Sequence, residues 1–160
     1  MNLLFFTSCL KDPCTDVFCA ANGECINGTC LCNSKYLGEK CENSYATYYA
    51  GSYEVFNIAI DTIIDTIALN VYNNSTDSIT INNYAGLSNN LNVIAIVQND
   101  SMINIFEQIN SFELEDSIEQ SICVSGTLLG KPTDTLVLSS IYSNGDMNFT
   151  YNRKVLKISN

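Results

Sequence analysis

Residues 14–32 read CTDVFCAANGECINGTCLC and hold five of the chain's eight cysteines. Together with Cys41 they give the spacing C-x4-C-x5-C-x4-C-x-C-x8-C. A segment this short, with so few large apolar side chains, cannot bury a core that outweighs its chain entropy. Disulfides contribute roughly 2–4 kcal/mol each and require an oxidising compartment. A zinc site is the alternative, but zinc ligands usually come as CxxC pairs or with histidine, and this sequence has neither.

Six cysteines can pair in many ways, and their spacing alone does not select one pairing. Residues 14–41 resemble an epidermal-growth-factor-like (EGF-like) module through the C-x-C pair Cys30/Cys32, Gly28 before it, and the ending YLGEKC with Tyr36 and Gly38. The resemblance implies the disulfides Cys14–Cys25, Cys19–Cys30 and Cys32–Cys41.

Calcium-binding members of that family carry an acidic D-x-D-E stretch before the first cysteine. Here only Asp12 precedes Cys14, in KDPC. We therefore expect no calcium or other metal in the module. We interpret it as a spacer, with a recognition module as the alternative.

The first nine residues, MNLLFFTSC, contain the apolar run LLFF without Lys or Arg. The ending FFTSC resembles the end of a bacterial lipoprotein signal, which implies lipidation of Cys9. Two or more acyl chains would hold the protein stably on a membrane. We therefore predict a surface lipoprotein of a bacterial outer membrane, with secretion as the alternative. The other interpretation of Cys9 is a disulfide with Cys123, which is otherwise expected to be a buried small hydrophobe.

The net charge is −10, and no Lys or Arg occurs between Ser44 and Gly130. Proteins bind nucleic-acid backbones through Lys and Arg, so we expect no nucleic-acid partner. The chain has no histidine, which removes the commonest general base near neutral pH and any His-metal site. Carboxylate-only chemistry stays open, but no motif supports it. We expect no enzyme activity and no cofactor.

Residues 43–160 contain eight runs rich in β-branched and aromatic residues, separated by Asn, Asp and Gly. They start with GSYEVFNIAI (51–60) and end with NFTYNRKVLKI (148–158), and the short links favour antiparallel neighbours in chain order. The prediction is a mainly β protein. A signal remnant and linker (1–13) and an EGF-like module (14–42) precede an eight-stranded antiparallel up-and-down β-barrel (43–160), with a β-sandwich as the alternative.

Finer expectations attach to single segments. Asp65 is interpreted as a break before the strand TIALNVY, and LNVIAIVQ (91–98) as a strand buried on both faces. SFELEDSIEQS (111–121) is expected to be a loop or a single helical turn. Its acidic group is interpreted as a solvated loop, with a Ca²⁺ site as the weaker alternative. That group comprises Glu113, Glu115, Asp116 and Glu119.

Four tyrosines stand where the second domain begins, and we expect them to cover the junction between the domains. A cap on a barrel end and a sugar-stacking platform are the alternatives. These residues are Tyr45, Tyr48, Tyr49 and Tyr53.

The pattern Gly51-x-Tyr53 on the first strand, with Arg153 on the last, resembles the lipocalin-like (calycin) barrels. In that family a ring near the start packs against an arginine near the end. The layout is also similar to small β domains of Bacteroidota surface lipoproteins. The lipocalin-like resemblance implies, as an alternative function, a carrier of a small hydrophobic ligand.

Several Asp-Ser/Thr-apolar triplets resemble the O-glycosylation sequon of exported Bacteroidota proteins. Turn chemistry is the plainer explanation, because Asp and Ser or Thr favour turns. The acceptors would be Thr62, Thr66, Ser78, Ser101, Ser117 and Thr135.

These features together predict a non-catalytic cell-surface or secreted protein. An EGF-like stalk would present the β domain to an unknown protein or glycan partner.

Overall fold

The computed structural model describes residues 11–59, 62–84, 91–113, 119–143 and 148–158. The chain divides into two compact units, Met1–Glu42 and Asn43–Asn160.

The first unit contains the antiparallel hairpin of β1 (Gly23–Ile26) and β2 (Thr29–Cys32), followed by the short strand β3 (Tyr36–Leu37). The hairpin turn is Asn27-Gly28, and both residues have positive φ, 52° and 84°. Such angles belong to the tight two-residue turn that Asn-Gly favours, because its twist matches that of the strands.

Three disulfides join the residues of this unit, and they are the pairings that the EGF-like resemblance implies. They link Cys14 to Cys25, Cys19 to Cys30, and Cys32 to Cys41. Cys41 is fully buried, and a Cβ atom at Gly23 would lie 2.5 Å from its sulfur. The close approach of Cys41 to β1 therefore requires glycine at position 23.

The second unit begins with β4 (Asn43–Ser44) and the helix α1 (Tyr45–Tyr49). Eight longer strands follow. They are β5 (Gly51–Asn57), β6 (Thr62–Val71), β7 (Ser78–Asn82), β8 (Asn92–Asn99), β9 (Met102–Glu113), β10 (Glu119–Leu129), β11 (Thr135–Ser143) and β12 (Asn148–Lys157).

These eight strands form a closed barrel in which each strand pairs antiparallel with its neighbours in the chain. The last strand closes the barrel onto the first, with Val155 opposite Val55. Closure leaves no long sheet edge exposed, which is the usual benefit of a barrel. The predicted up-and-down β-barrel is confirmed, and the sandwich alternative is not what the chain adopts.

Alternate residues of each strand point into the barrel and form its core. On β8, Val93, Ala95 and Val97 are at most 2% exposed, whereas Ile94 is 41% exposed. The expectation that β8 is buried on both faces is wrong, because the outer surface of the barrel faces solvent at Ile94.

The register shifts at three places between the described strands, one of them between Val97 and Asn99 of β8. Between β5 and β6 the register shifts after Val55, which lies opposite Asp65. Between β9 and β10, Val124 pairs with Gln108 but Gly126 pairs with Ile105, so β9 has one extra residue. A bulge re-aims the side chains beyond it. The interpretation of Asp65 as a break is also wrong, since Asp65 lies inside β6.

The helix α1 closes one end of the barrel, which we call the capped end. Its N-cap is Ser44, whose hydroxyl accepts a hydrogen bond from the backbone N–H of Thr47. The backbone N–H of Ala46 donates to the carbonyl oxygen of Thr76 in the β6–β7 turn. The opposite end, where β5, β7, β9 and β11 end, is the distal end.

The structure corrects two further expectations. Residues 111–113 belong to β9, and residues 119–121 belong to β10. The described part of SFELEDSIEQS is therefore strand and not a loop or a helical turn. Tyr49 and Tyr53 lie in the core of the barrel, fully buried. They cap a barrel end, which was the alternative to the junction.

Candidate functional site

At the capped end, buried polar atoms have partners within the protein. The Tyr49 hydroxyl donates to the carbonyl oxygen of Gly130 at 2.7 Å, and the Tyr53 hydroxyl donates to that of Tyr49 at 2.6 Å. Burial raises the pKa of both tyrosines well above its usual value, with smaller contributions from neighbouring tyrosines and, for Tyr49, Asp100. This end is a satisfied, tightly packed cap and offers no free polar group from these two rings.

Toward the distal end, polar side chains enter the interior among buried aliphatic residues such as Leu91 and Ile122. The Asp65 carboxylate lies on β6, where its Oδ1 accepts from the Asn83 side-chain amide at 2.8 Å. The same Asn83 amide donates to the carbonyl oxygen of Thr66 at 2.8 Å. These bonds fix the chain just after β7, where Tyr84 follows.

Tyr84 is completely buried, and its backbone N–H donates to the carbonyl oxygen of Leu91. Burial raises the pKa of Tyr84 to about 12, and the nearby Ser140 hydroxyl opposes part of that rise. Ser140 lies on β11 and is 3% exposed. The two hydroxyls are thus neighbours, yet neither forms a hydrogen bond of normal geometry within the protein.

Tyr151 connects this pair to two charged residues. It lies opposite Ser140 on β12 and is 8% exposed. The guanidinium carbon of Arg153 lies 4.3 Å from the centre of its ring. Burial raises the pKa of Tyr151, the Arg153 charge lowers it, and the Asp65 charge adds to the rise. Tyr151 therefore lies within electrostatic range of both charges.

The bulge in β9 brings Asn110 to the inner face, opposite the buried Ile122. If the same sequence paired with β10 without a bulge, the alternation that places Ile103 and Ile105 inside would continue to Ile109. Ile109 is instead 78% exposed. The bulge thus exchanges an apolar inward residue for an amide.

The side chain of Gln108, beside the same bulge, forms hydrogen bonds to β8 where the backbones of β8 and β9 no longer pair. Backbone pairing between β8 and β9 runs only from Ile96–Asn104 to Asn99–Met102. Beyond it, the Gln108 side chain donates to the carbonyl oxygen of Ile94 at 2.7 Å and accepts from its N–H at 3.0 Å. A side-chain amide therefore joins the two strands where the backbones diverge.

Five buried side-chain atoms among the described residues have no hydrogen-bond partner in the protein. Four of them lie toward the distal end, and that of Arg153 lies near the middle of β12. Most buried polar groups in folded proteins are paired, so such a group calls for an explanation. The atoms are Asp65 Oδ2, Tyr84 OH, Asn110 Nδ2, Ser140 Oγ and Arg153 Nε.

Aromatic and aliphatic side chains surround the same end. Tyr142 and Phe149 stack with ring centres 5.0 Å apart and planes 17° apart, and Phe149 is 37% exposed. Other large exposed hydrophobic residues near the distal strand ends are Ile58, Ile63, Ile64, Ile109 and Ile141.

The residues that carried the lipocalin-like resemblance are not in the expected contact. The cation over the Tyr53 ring is Lys157, 5.7 Å from its centre, while Arg153 lies over Tyr151. Lys157 pairs with Tyr53 across β12 and β5, four residues further along β12 than Arg153. The Tyr53 ring therefore contacts a lysine, and the arginine contacts a different tyrosine.

The O-glycosylation candidates are spread over both ends. Thr62, Thr66 and Thr135 are exposed, whereas Ser78 and Ser101 are partly buried. The carboxylate of Asp65, which precedes Thr66, is committed to Asn83 inside the barrel. Ser117 and the lipidation candidate Cys9 lie outside the described residues.

Cys123 forms no disulfide among the described cysteines. It lies on β10, opposite Ile109, and is partly exposed, so the expectation of a buried small hydrophobe is wrong. Its sulfur lies 3.5 Å from a Glu107 carboxylate oxygen, and desolvation, followed by Glu107, raises the pKa of the thiol. A raised pKa disfavours the reactive thiolate.

No group of His, Cys, Asp or Glu side chains suited to a metal ion occurs in the described part of the chain. The acidic group predicted at 113–119 falls largely outside that part. Within the described ranges, no helix has the length and apolar character needed to span a membrane.

Comparison with known families identifies a match in the N-terminal unit. Residues 9–44 match the model of the Teneurin-like EGF domain, a range that includes all six disulfide-bonded cysteines. The EGF-like character of the N-terminal unit is therefore confirmed. Comparison with curated proteins and with solved structures gave no significant match. The lipoprotein resemblance stays a prediction.

Sequence reasoning missed the polar distal interior. A signal was available at Asp65, the single charged residue of the β-rich run 62–71, whereas Asn110 and Arg153 have polar neighbours in the sequence. Their inward direction, however, depends on bulges and on pairing with other strands. Alternation along one strand does not reveal it.

Proposed function

We propose that this chain is a non-catalytic extracytoplasmic binding protein. The EGF-like module acts as a disulfide-stapled spacer, and the distal end of the barrel meets a glycan or a protein partner. The disulfides support an extracytoplasmic location because they persist in oxidising compartments.

The observation that carries the proposal is the stacked pair of Tyr142 and Phe149 beside the polar interior. Stacking covers one face of each ring, while Phe149 keeps 37% of its surface exposed. Exposed apolar clusters rimmed by polar groups commonly mark binding sites. An aromatic surface next to hydrogen-bonding groups suits a ligand with apolar and polar faces, such as a sugar.

The alternative, a carrier of a small hydrophobic ligand, has less support. A hydrophobic ligand would need apolar space inside the barrel. Toward the capped end, large side chains with at most 1% exposure, such as Tyr53, Ile67 and Leu69, form one packed cluster. Toward the distal end, unpaired polar atoms of Asp65, Tyr84 and Ser140 lie among the inner groups, and burying them against an apolar ligand would be unfavourable.

The test is binding of the full, oxidised chain to a glycan array. Phe149→Ala removes the exposed distal ring, and Tyr72→Ala removes a ring of similar exposure, 36%, near the capped end. We expect Phe149→Ala to lower glycan binding at least about tenfold and Tyr72→Ala to leave it unchanged. Equal binding by both variants would contradict the distal location. If the array shows no binding, the same pair of variants is compared on purified candidate protein ligands.

The membrane anchor at Cys9 and the O-glycans are proposed as part of the same function. Intact mass of the protein from its native membrane fraction, measured without reduction, tests them directly. A mature chain starting at Cys9 with a diacylglycerol adduct would support the anchor, and extra hexose mass would support the glycans. An unmodified chain with Cys9 and Cys123 both oxidised would contradict the anchor.

A further inference from the structure

The polar groups of the distal interior are buried well enough to need partners. Tyr84 is 0% and Ser140 3% exposed, and both hydroxyls are unpartnered in the protein. Leaving buried donors and acceptors unpaired is costly, and natural folds seldom keep several together. Something other than this chain's own atoms is expected to complete their hydrogen bonds.

Placing these polar groups in the interior reduces the apolar surface that the barrel buries. The β9 bulge turns Asn110 inward and leaves Ile109 78% exposed, although the opposite arrangement would bury more apolar surface. Bulges are frequent beside functional sites, where they re-aim a side chain. The polar interior is therefore a built feature rather than a defect in packing.

The inventory of groups defines the chemistry of the missing partner. Asp65 Oδ2 only accepts, Arg153 Nε only donates, and the hydroxyls of Tyr84 and Ser140 do both. The charges of Asp65 and Arg153 are opposite, so the group as a whole carries no net charge. A charged ligand would meet a repelling charge as well as an attracting one.

We infer that the distal interior binds a neutral polyhydroxylated molecule, a sugar residue or a polyol of that size, through Asp65, Tyr84, Ser140 and Arg153. Hydroxyl groups both donate and accept, which matches this mixed set of partners. The Tyr151 ring supplies an apolar face beside them. The inference rests on the proposed function, because it names the ligand class of the distal end.

Two substitutions give this inference a distinctive signature. Ser140→Ala and Tyr84→Phe each remove one unpartnered hydroxyl and keep the packing. In the free protein both are expected to raise the melting temperature. In the bound protein both remove a hydrogen bond to the ligand, so affinity should fall by roughly tenfold. Sites for ligands often lower the stability of the free fold in this way.

The experiment is titration of the full, oxidised chain with glucose, galactose, mannose and glycerol, alongside glucuronate and glucosamine as charged analogues, followed by NMR and calorimetry. We expect saturable binding of at least one neutral compound and roughly tenfold weaker binding of its charged analogue. Ser125→Ala, on the outer face of β10 opposite Ile141, is the matched control and should change neither affinity nor melting temperature.

Three outcomes would overturn the inference. The first is no saturable binding of any neutral compound, with a high-resolution crystal structure showing only ordered water against the five atoms. The second is tighter binding of a charged analogue. The third is binding that Ser140→Ala and Tyr84→Phe leave unchanged. If Phe149→Ala still abolishes array binding in that case, the proposed function stands and only the inner site is rejected.

Discussion

Tyr53 at the capped end and Tyr84 at the distal end are both fully buried, but only Tyr53 has a partner for its hydroxyl. The difference extends beyond these two rings. The capped end joins α1, turns and strands through completed hydrogen bonds around aliphatic packing. The distal end collects charges, hydroxyls and an amide whose hydrogen bonds the chain does not complete. One barrel thus has an end whose hydrogen bonds are completed by the protein and an end whose hydrogen bonds are not. A ligand bound at the second end could supply the missing hydrogen bonds.

The largest expected effect tests the packed half of the barrel. Leu69→Ala, at a fully buried position near the capped end, should lower the free energy of unfolding by about 2–5 kcal/mol. Denaturant unfolding without reductant measures it. Leu129→Ala, at a site that is 48% exposed, is the control and should change stability by less than about 1 kcal/mol. Similar losses in both variants would mean that burial does not set the stability of this half.

The next effect concerns alkaline pH. Burial raises the pKa of Tyr84 from 10.0 to about 12, so the neutral ring is favoured in the folded state. Its contribution is complete below pH 10 and is lost as the pH rises to about 12. Between these limits Tyr84 should account for roughly 2–3 kcal/mol of lost stability, at 1.36 kcal/mol per pKa unit. Urea unfolding of the wild type and Tyr84→Phe at both pH limits measures it, and equal losses would contradict the assignment.

A smaller effect compares the two tyrosines directly. Tyr53→Phe leaves the Tyr49 carbonyl without its 2.6 Å hydrogen bond and should lower stability by about 1 kcal/mol. Tyr84→Phe removes an unpartnered hydroxyl and should raise stability by a similar amount at neutral pH. Thermal unfolding of the two variants side by side provides the measurement. If both variants gained stability or both lost it, the proposed difference between the capped end and the distal end would be wrong.

The smallest effect lies on the surface of the capped end. Asp100 and Lys131 form an ion pair of 2.7 Å, and the Lys131 ammonium lowers the pKa of the Asp100 carboxyl. Both side chains are about half exposed, so solvent screens the pair. Asp100→Asn should change stability by no more than about 0.5 kcal/mol, and the change should vanish in high salt. A loss of several kcal/mol would show that this end also depends on charge.

The fold could be predicted because its signals are local. Six cysteines at EGF-like spacing and runs of β-branched residues between turns appear in any short window of the sequence. The distal site depends on non-local pairing. The direction of Asn110 is set by the register of β9 against β10. Asp65 reads as a break in the sequence because Asp is rare inside strands. The helix α1 spans only Tyr45–Tyr49, which is too short for a helical period to be recognised.

The extra residue in β9 has a consequence for how this protein could change over evolution. Loss of a single codon for Phe106 or Glu107 would restore regular pairing between β9 and β10. Gln108 and Asn110 would keep Val124 and Ile122 as their partners, so Asn110 would still point into the barrel. A one-codon deletion could therefore remove the bulge without changing which side chains face the interior. Related barrels with and without this residue should keep the same polarity opposite Ile122 where their sequences elsewhere agree.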